Sequence, residues 1–366
     1  MLKHKFCGIN SFYMKDFKRA ALLVEGATDI FHAKTASALI RYRTRDIAYL
    51  IDSTHSKENP NIFSKEINVP VIKSITEVAK QADALIICLV LPDGKSPKKW
   101  LDEITGALKN GVDVINPHHI NFGRMKEIAD VLGGVSSDSN DAVTKFNKTK
   151  AVIENIRAVP TDLELLSMKV LNTKAKRILT VGSDCNIGKM LTTLELNAAA
   201  QKKGINSSFV ATGQVGILIK GSGIAIDRVI SDFLSGAVER LIMEEQDKDV
   251  LFIEGQGSIF SPLYSAVTLG LIHGSAPDKM ILCHVPTRKK LRYTDIDIPD
   301  MGKMIRMHEE IASIVNKCKV VGVALNCHDL SNEDAKIVIK NVEAKTGLPA
   351  TDPVKFGVEK LLNACI

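Results

Sequence analysis

The residues with the clearest chemical purpose are Gly188 and Lys189, in the stretch RILTVGSDCNIGKMLTTLEL at residues 177–196. An apolar run ends at Val181. A turn through Ser183, Asp184, Cys185, Asn186 and Ile187 follows, and Gly188-Lys189 opens a helical pattern that continues through Met190 and Leu191. A strand, a glycine-containing turn and a helix start, in that order, aim successive backbone N–H groups at one point and hold an anion there. Glycine lets the backbone approach closely, and lysine adds a point charge. Leu191, Leu194 and Ala198 share one expected face of the helix, and Gly204 after Lys202 and Lys203 marks its end.

Two features set this loop apart from the common G-x-x-x-x-G-K-[ST] pattern. Five residues separate Gly182 from Gly188 where the pattern has four, so Ser183 stands where the first glycine is usual. The position after the lysine, normally a hydroxyl that holds magnesium, is Met190. Thr192 and Thr193 follow, but a shift of two or three residues turns them to other sides of the helix. The loop keeps the means to cradle an anion and loses the usual magnesium ligand.

Other residues could join it. Glu254 ends the apolar run 250–253, at the edge where open α/β sheets bind ligands. It is a candidate general base or metal partner, or a cap on the following Gly-Gln-Gly turn. Asp227 precedes a pattern in which Ile230, Phe233, Leu234, Ala237 and Leu241 form a stripe; it is a site acid or a helix N-terminal acid. Arg288, Lys289, Lys290 and Arg292 form a basic run after the apolar stretch 280–285. Arg288 and Arg292 are candidates to bind a substrate carboxylate or phosphate through the planar guanidinium fork. His273 and His284 are further site candidates. Cys185 reads better as a small filler of the loop than as a reactive thiol. His118 and His119 lack helix-face metal spacing, and no metal site is expected.

These side chains need a scaffold. Short apolar runs at 20–24, 46–51, 84–90 and 112–115 read as strands, with helical patterns at 30–41, 75–81 and 100–109. After a polar stretch at 133–150, further strands are expected at 177–181, 208–211, 250–253, 280–285 and 320–325. Continuous apolar strands alternating with helices imply parallel sheets covered on both faces. The expected fold is α/β, with two doubly wound domains. The first, at 1–150, is Rossmann-like; a connector spans 151–172; a P-loop NTPase-like domain spans 173–366. In the first domain Gly26 stands without a GxGxxG motif, and Asp52 and Lys34 are weaker candidates to meet a ribose or an anion.

Composition narrows the function. The 366 residues carry 48 basic and 42 acidic side chains, a net charge of +6 that suits a small anionic ligand but is no nucleic-acid signature. The seven cysteines are scattered with no CxxC pair, as in a reduced cytoplasmic protein. No run approaches the roughly 18 apolar residues of a membrane span, and the basic N-terminus lacks a signal-peptide core. Small-molecule substrates are expected, with no nucleic-acid or membrane partner and a possible homo-oligomer.

The spacing G-x-D-x-x-x-G-K over 182–189 resembles that of dethiobiotin synthetase and its P-loop relatives. DVLFIEGQGS at 249–258 stands in the place of their acidic strand edge. VVGVALN at 320–326 ends in Asn326, where the relatives recognise adenine, and TGLPATDPVKFGVEKL at 346–361 resembles their closing turn and helix. Residues 211–241 and 252–288, together with the loop, more closely resemble the D-glutamate N-acetyltransferase-like family. That family pairs a Rossmann-like N-terminal domain with a P-loop C-terminal domain. The resemblance implies acetyl transfer from acetyl-CoA to the amine of a small amino acid, D-glutamate or one similar. Lys189 and the loop would then hold the CoA diphosphate, with Asn326 at its adenine. Glu254, Asp227 and His284 are the catalytic candidates. Arg288, Arg292 and His273 are the candidates for holding the acceptor. The rival reading is a ligase or kinase using ATP and magnesium, with Asp184, Glu254 or a threonine on the metal. A third is a nucleotide-binding regulatory protein.

Overall fold

The computed structural model describes residues 13–26, 34–54, 69–89 and 98–366. Parts of the expected helix 30–41 (residues 30–33) and of the expected strand 84–90 (Val90) lie outside them, as do residues 1–12 of the N-terminus. The chain forms two compact units, residues 1–160 with 217–225, and residues 161–216 with 226–366. Both are α/β, with parallel-dominated sheets flanked by helices on both sides.

The first unit contains β1 (Ala20–Leu23), β2 (Ile47–Ile51), β3 (Val71–Ile72), β4 (Ala84–Ile87), β5 (Asp113–Asn116), β6 (Val143–Thr144) and β7 (Ile153–Asn155) in the order β3-β2-β1-β4-β5-β7-β6. Every residue of β1 and β4 is buried, so these strands read as unbroken apolar runs instead of alternating ones. Only β6, paired with β7, runs antiparallel among the described strands. The helices are α1 (Lys34–Tyr42), α2 (Lys98–Lys109) and α3 (Lys126–Val131). Residues 75–81, expected as a helix, form a short 3₁₀ turn at Ile75–Glu77 closed by a capping box between Ser74 and Glu77. Ser74 caps its start, and the Val78 N–H bonds the Ile75 carbonyl in the tighter i to i+3 pattern.

The second unit contains β8 (Lys176–Gly182), β9 (Ser207–Val210), β10 (Val250–Ile253), β11 (Lys279–His284), β12 (Lys319–Leu325) and β13 (Ala350–Thr351). They form a fully parallel sheet in the order β13-β12-β11-β8-β10-β9. Its helices are α4 (Lys189–Lys202), α6 (Ser231–Met243), α7 (Ser265–Ser275), α8 (Met301–Ala312), α9 (Asn332–Thr346) and α10 (Glu359–Cys365), while α5 (Gln214–Lys220) starts in this unit and has residues 217–220 in the first. From β8 the chain moves out to β9, returns through β10, and then crosses to β11 on the other side of β8. The strand order reverses at β8, which places a crevice at the carboxyl ends of β10, β8 and β11. One face of the sheet is closed by Ile178, Leu196, Phe252, Ile281, Ala324 and Leu361.

Two sequence expectations change here. The buried side of α4 is Lys189, Thr192, Thr193, Leu194, Leu196 and Ala200, while Leu191 is half-buried and Ala198 exposed. The helix turns its N-terminal lysine and threonines inward because it packs against β8, β9, β10 and α10 together. Asp227 does not open α6. It lies in the 3₁₀ turn Ile226–Arg228, exposed, and α6 begins at Ser231 after an exposed Ile230. No helix among the described residues is long and apolar enough to cross a membrane.

Candidate functional site

The loop between β8 and α4 is a tight turn around its own backbone. Asn186 and Gly188 adopt left-handed φ values of 50° and 103°. At Gly188 a side chain would be strained by that dihedral alone, and the glycine lies at the N-terminus of α4. The Ser183 N–H donates to the Cys283 carbonyl at 3.1 Å, which ties the loop to the end of β11. Lys189 is buried, and its Nζ donates to the Asp184 carbonyl at 2.7 Å across the loop. Thr193 Oγ1 donates to the Lys189 carbonyl and lies 2.9 Å from Thr180 Oγ1; Thr192 Oγ1 faces Cys283 Sγ. Both hydroxyls therefore serve the sheet, and neither replaces the one missing at Met190.

Asp184 is fully buried and held from three sides. Its Oδ1 accepts the Cys185 N–H at 2.8 Å. Its Oδ2 accepts Arg288 Nη1 at 2.9 Å and the Arg292 N–H at 2.8 Å. Arg288 also donates to the Cys185 carbonyl at 2.8 Å and to the Asn186 carbonyl at 3.4 Å. The basic run thus folds back onto the loop, with Arg288 clamping the loop carbonyls. The Arg292 guanidinium stacks 4.9 Å from the Tyr293 ring centre. Burial pushes the Cys185 thiol up, with the Asp184 charge adding to the rise, so the thiol stays protonated at neutral pH.

His284, the last residue of β11, puts Nδ1 2.9 Å from Ser183 Oγ. Burial lowers its imidazole to about 4, with the charges of Arg288 and Lys289 assisting, so it is neutral at physiological pH. Glu254 follows β10. Its Oε2 accepts the N–H groups of Thr212 and Gly213, both at 3.0 Å, and its carbonyl accepts the Thr212 hydroxyl at 2.6 Å. It thereby binds the loop after β9. Gly255 is required next to it: a Cβ there would stand 1.7 Å from the Thr180 carbonyl oxygen and 3.1 Å from the Lys189 stem. Asn326 follows β12. Its N–H donates to the His284 carbonyl at 2.9 Å, and its Nδ2 lies 3.8 Å from where a Gly188 side chain would begin. Its Oδ1 accepts the His328 N–H at 3.3 Å.

The loop, Glu254, His284, Arg288 and Asn326 thus stand at one edge of one sheet. Asp227 lies instead, exposed, in the 3₁₀ turn Ile226–Arg228. His273 lies on α7 with a buried Nε2 that meets no hydrogen-bond partner among the described residues. Beside the loop is a cleft of about 340 Å³ lined by His284, Pro286, Arg288 and Lys289, by residues 298–301 and Met304, and by Val338, Asn341, Val342 and Lys345 of α9.

The C-terminal P-loop domain of the DUF1611 family matches residues 164–362, and the family's N-terminal Rossmann-like domain matches residues 53–132. The chain belongs to the DUF1611 family. Two relatives bear the name D-glutamate N-acetyltransferase. One, from Tritonibacter scottomollicae, is 36% identical over 81% of this chain and 86% of its own length. The other, from a Pseudoalteromonas species, is 34% identical over 80% of this chain and 84% of its own. A crystal structure of a DUF1611 protein from Anabaena variabilis is similar to this one with a TM-score of 0.85 and 33% identity, covering 95% of this chain and 99% of that one.

Several groups near this DUF1611 loop escaped the sequence reading. Burial raises the Tyr264 phenol, with Cys185, Tyr293 and Asp184 adding and Arg292 opposing, which places it in electrostatic reach of the loop. His308 on α8 is fully buried. Its Nδ1 lies 2.8 Å from the Met304 carbonyl, its ring packs edge-on to Phe260 at 5.6 Å, and its Nε2 meets no hydrogen-bond partner among the described residues. Burial lowers it to about 4, and the Lys189 charge contributes. No spacing motif joins Tyr264 and His308 to the loop, so only the fold could bring them within reach of its charges.

Proposed function

We propose that the protein is an N-acetyltransferase that moves an acetyl group from acetyl-CoA to the amine of a small amino acid, D-glutamate or one similar. The observation that supports this most is the pair of D-glutamate N-acetyltransferase relatives, each aligned over about four-fifths of the chain. The loop agrees with it. It offers an anion cradle and Lys189, as a CoA diphosphate requires. The hydroxyls of Thr192 and Thr193 are turned into the sheet, away from the place where magnesium-assisted phosphoryl transfer needs one.

In this reading the neutral amine attacks the thioester carbonyl, a C–N bond forms, the C–S bond breaks, and CoA leaves as the thiol. Backbone N–H groups and Lys189 hold the donor by its diphosphate, which fixes the thioester relative to the strand ends. Glu254 is the group assigned to the amine proton, because it brings a carboxylate to the same edge. Arg288 acts on the donor side by shaping the loop, and His284 supports the loop through Ser183.

The test is release of free thiol from acetyl-CoA by purified protein across D-glutamate, L-glutamate, D-glutamine and D-aspartate. Thiol release with formation of an N-acetylated D-amino acid is expected. CoA binding without acetyl transfer to any amine of a broad panel would overturn the reaction. Magnesium-dependent phosphate release from ATP would replace it with a ligase or kinase. Preference for an L-amino acid would keep the reaction and refute the stereochemistry.

A further inference from the structure

The cleft beside the phosphate loop differs in chemistry from the loop. Much of its wall is carbon, supplied by Ile298, Met301, Met304, Val338 and Val342. Besides Arg288, two lysines line it, Lys289 after β11 and Lys345 near the end of α9, and both are exposed. Neither makes an ion pair or a side-chain hydrogen bond among the described residues. Arg288 differs from them, being engaged with Asp184 and the loop carbonyls. Asp300 shares the cleft, but its Oδ1 accepts the Lys303 N–H at 3.0 Å as the cap of α8. That bond holds its carboxyl below the usual range, with Lys345 contributing.

His284 and Arg288 belong to both the loop and the cleft. A ligand anchored in the loop by a diphosphate therefore has one of its ends at the cleft. A volume of about 340 Å³ is in the range of small-molecule sites. An amino dicarboxylate has too little apolar surface to cover such a wall. A nucleobase has enough, and the two lysines beside it call for a phosphate outside the diphosphate. ATP has none there, whereas CoA carries one on its ribose 3′-oxygen.

We infer that this cleft receives the 3′-phosphoadenosine end of the acyl donor, with Lys289 and Lys345 reading the 3′-phosphate. The inference rests on the CoA reading above and adds a physical basis for choosing CoA over ATP. It also separates the two ends of the donor: the adenosine lies toward α8 and α9, and the thioester toward the other side of the loop.

Titration calorimetry of the full chain with CoA and with 3′-dephospho-CoA tests it. The wild type is expected to bind CoA more tightly, by roughly tenfold or more, as two exposed charge pairs permit. Lys289→Ala and Lys345→Ala should each lower CoA affinity by about fivefold and leave 3′-dephospho-CoA almost unaffected. The double variant should bind the two ligands equally. Equal affinity of the wild type for both ligands would overturn the inference while leaving CoA binding intact. Equal loss of both ligands in the variants would also overturn it, since the lysines would then be serving the diphosphate. Absence of binding by either ligand would remove the CoA reading itself.

Discussion

Arg288 Nη1 lies 2.9 Å from Asp184 Oδ2 and 2.8 Å from the Cys185 carbonyl oxygen, so one guanidinium holds both a fully buried carboxylate and the loop beside it. Removing it strands the carboxylate. Arg288→Ala should therefore cost up to about 3 kcal/mol of stability, the low end for a buried pair that loses one partner, because the arginine is itself partly exposed. Donor affinity should fall with it, and the acceptor's KM should change little. Thermal melts and CoA titration check this. Arg288→Lys should recover part of the charge but not the carbonyl contacts, since an ammonium lacks the fork. A selective rise in acceptor KM would place Arg288 on the substrate instead.

Lys189→Ala should weaken donor binding by about tenfold to a hundredfold, the value of a charge-assisted phosphate contact. The fold should persist, because β8, the loop and α4 are anchored by the buried Ile178, Ile187 and Leu196. A folded variant with unchanged CoA affinity would remove the lysine from the site.

Glu254→Gln keeps an oxygen able to accept from Thr212 and Gly213 but removes the charge. Loss of a general base should lower kcat by about a hundredfold to ten-thousandfold, with donor affinity nearly constant. If kcat and donor affinity fell together, the carboxylate's task would be to hold the 212–213 loop.

His284 and His308 are neutral in the folded chain down to about pH 4. Unfolded histidine takes up its proton near pH 6.5. Below that pH the unfolded state binds more protons, so stability falls as pH drops from about 6.5 to 4 and is restored above it. Each histidine can contribute up to about 1.4 kcal/mol per pH unit in that window. Melting temperatures at pH 7, 6 and 5 should decline progressively, and His308→Gln should flatten the decline. A flat profile in the wild type would mean that these imidazoles protonate in the native state.

The parallel strands and the phosphate loop were legible because both are local: buried parallel strands make continuous apolar runs, and the loop's residues are adjacent in sequence. The register Gly182–Cys283 follows from the sheet, and it carries His284 to Ser183 across about a hundred residues of chain. The basic run made Arg288 a ligand candidate, but sequence could not show that it turns back onto Asp184, since that depends on the path of the chain after β11. Sequence could not separate the 3₁₀ turn that holds Asp227 from the start of α6, because a short 3₁₀ turn and a helix start share the same local signals. Tyr264 and His308 come within electrostatic reach of the loop through the fold alone, which leaves no periodic trace.

Lys189 Nζ gives one of its three donors to the Asp184 carbonyl, five residues back along the chain. That bond ties the first residue of α4 to the middle of the turn before it. The side chain that gives the loop its positive charge is thus also one of the struts that set its shape. A replacement that keeps the charge but alters the length or the fork of the side chain, such as Lys189→Arg, changes both properties at once.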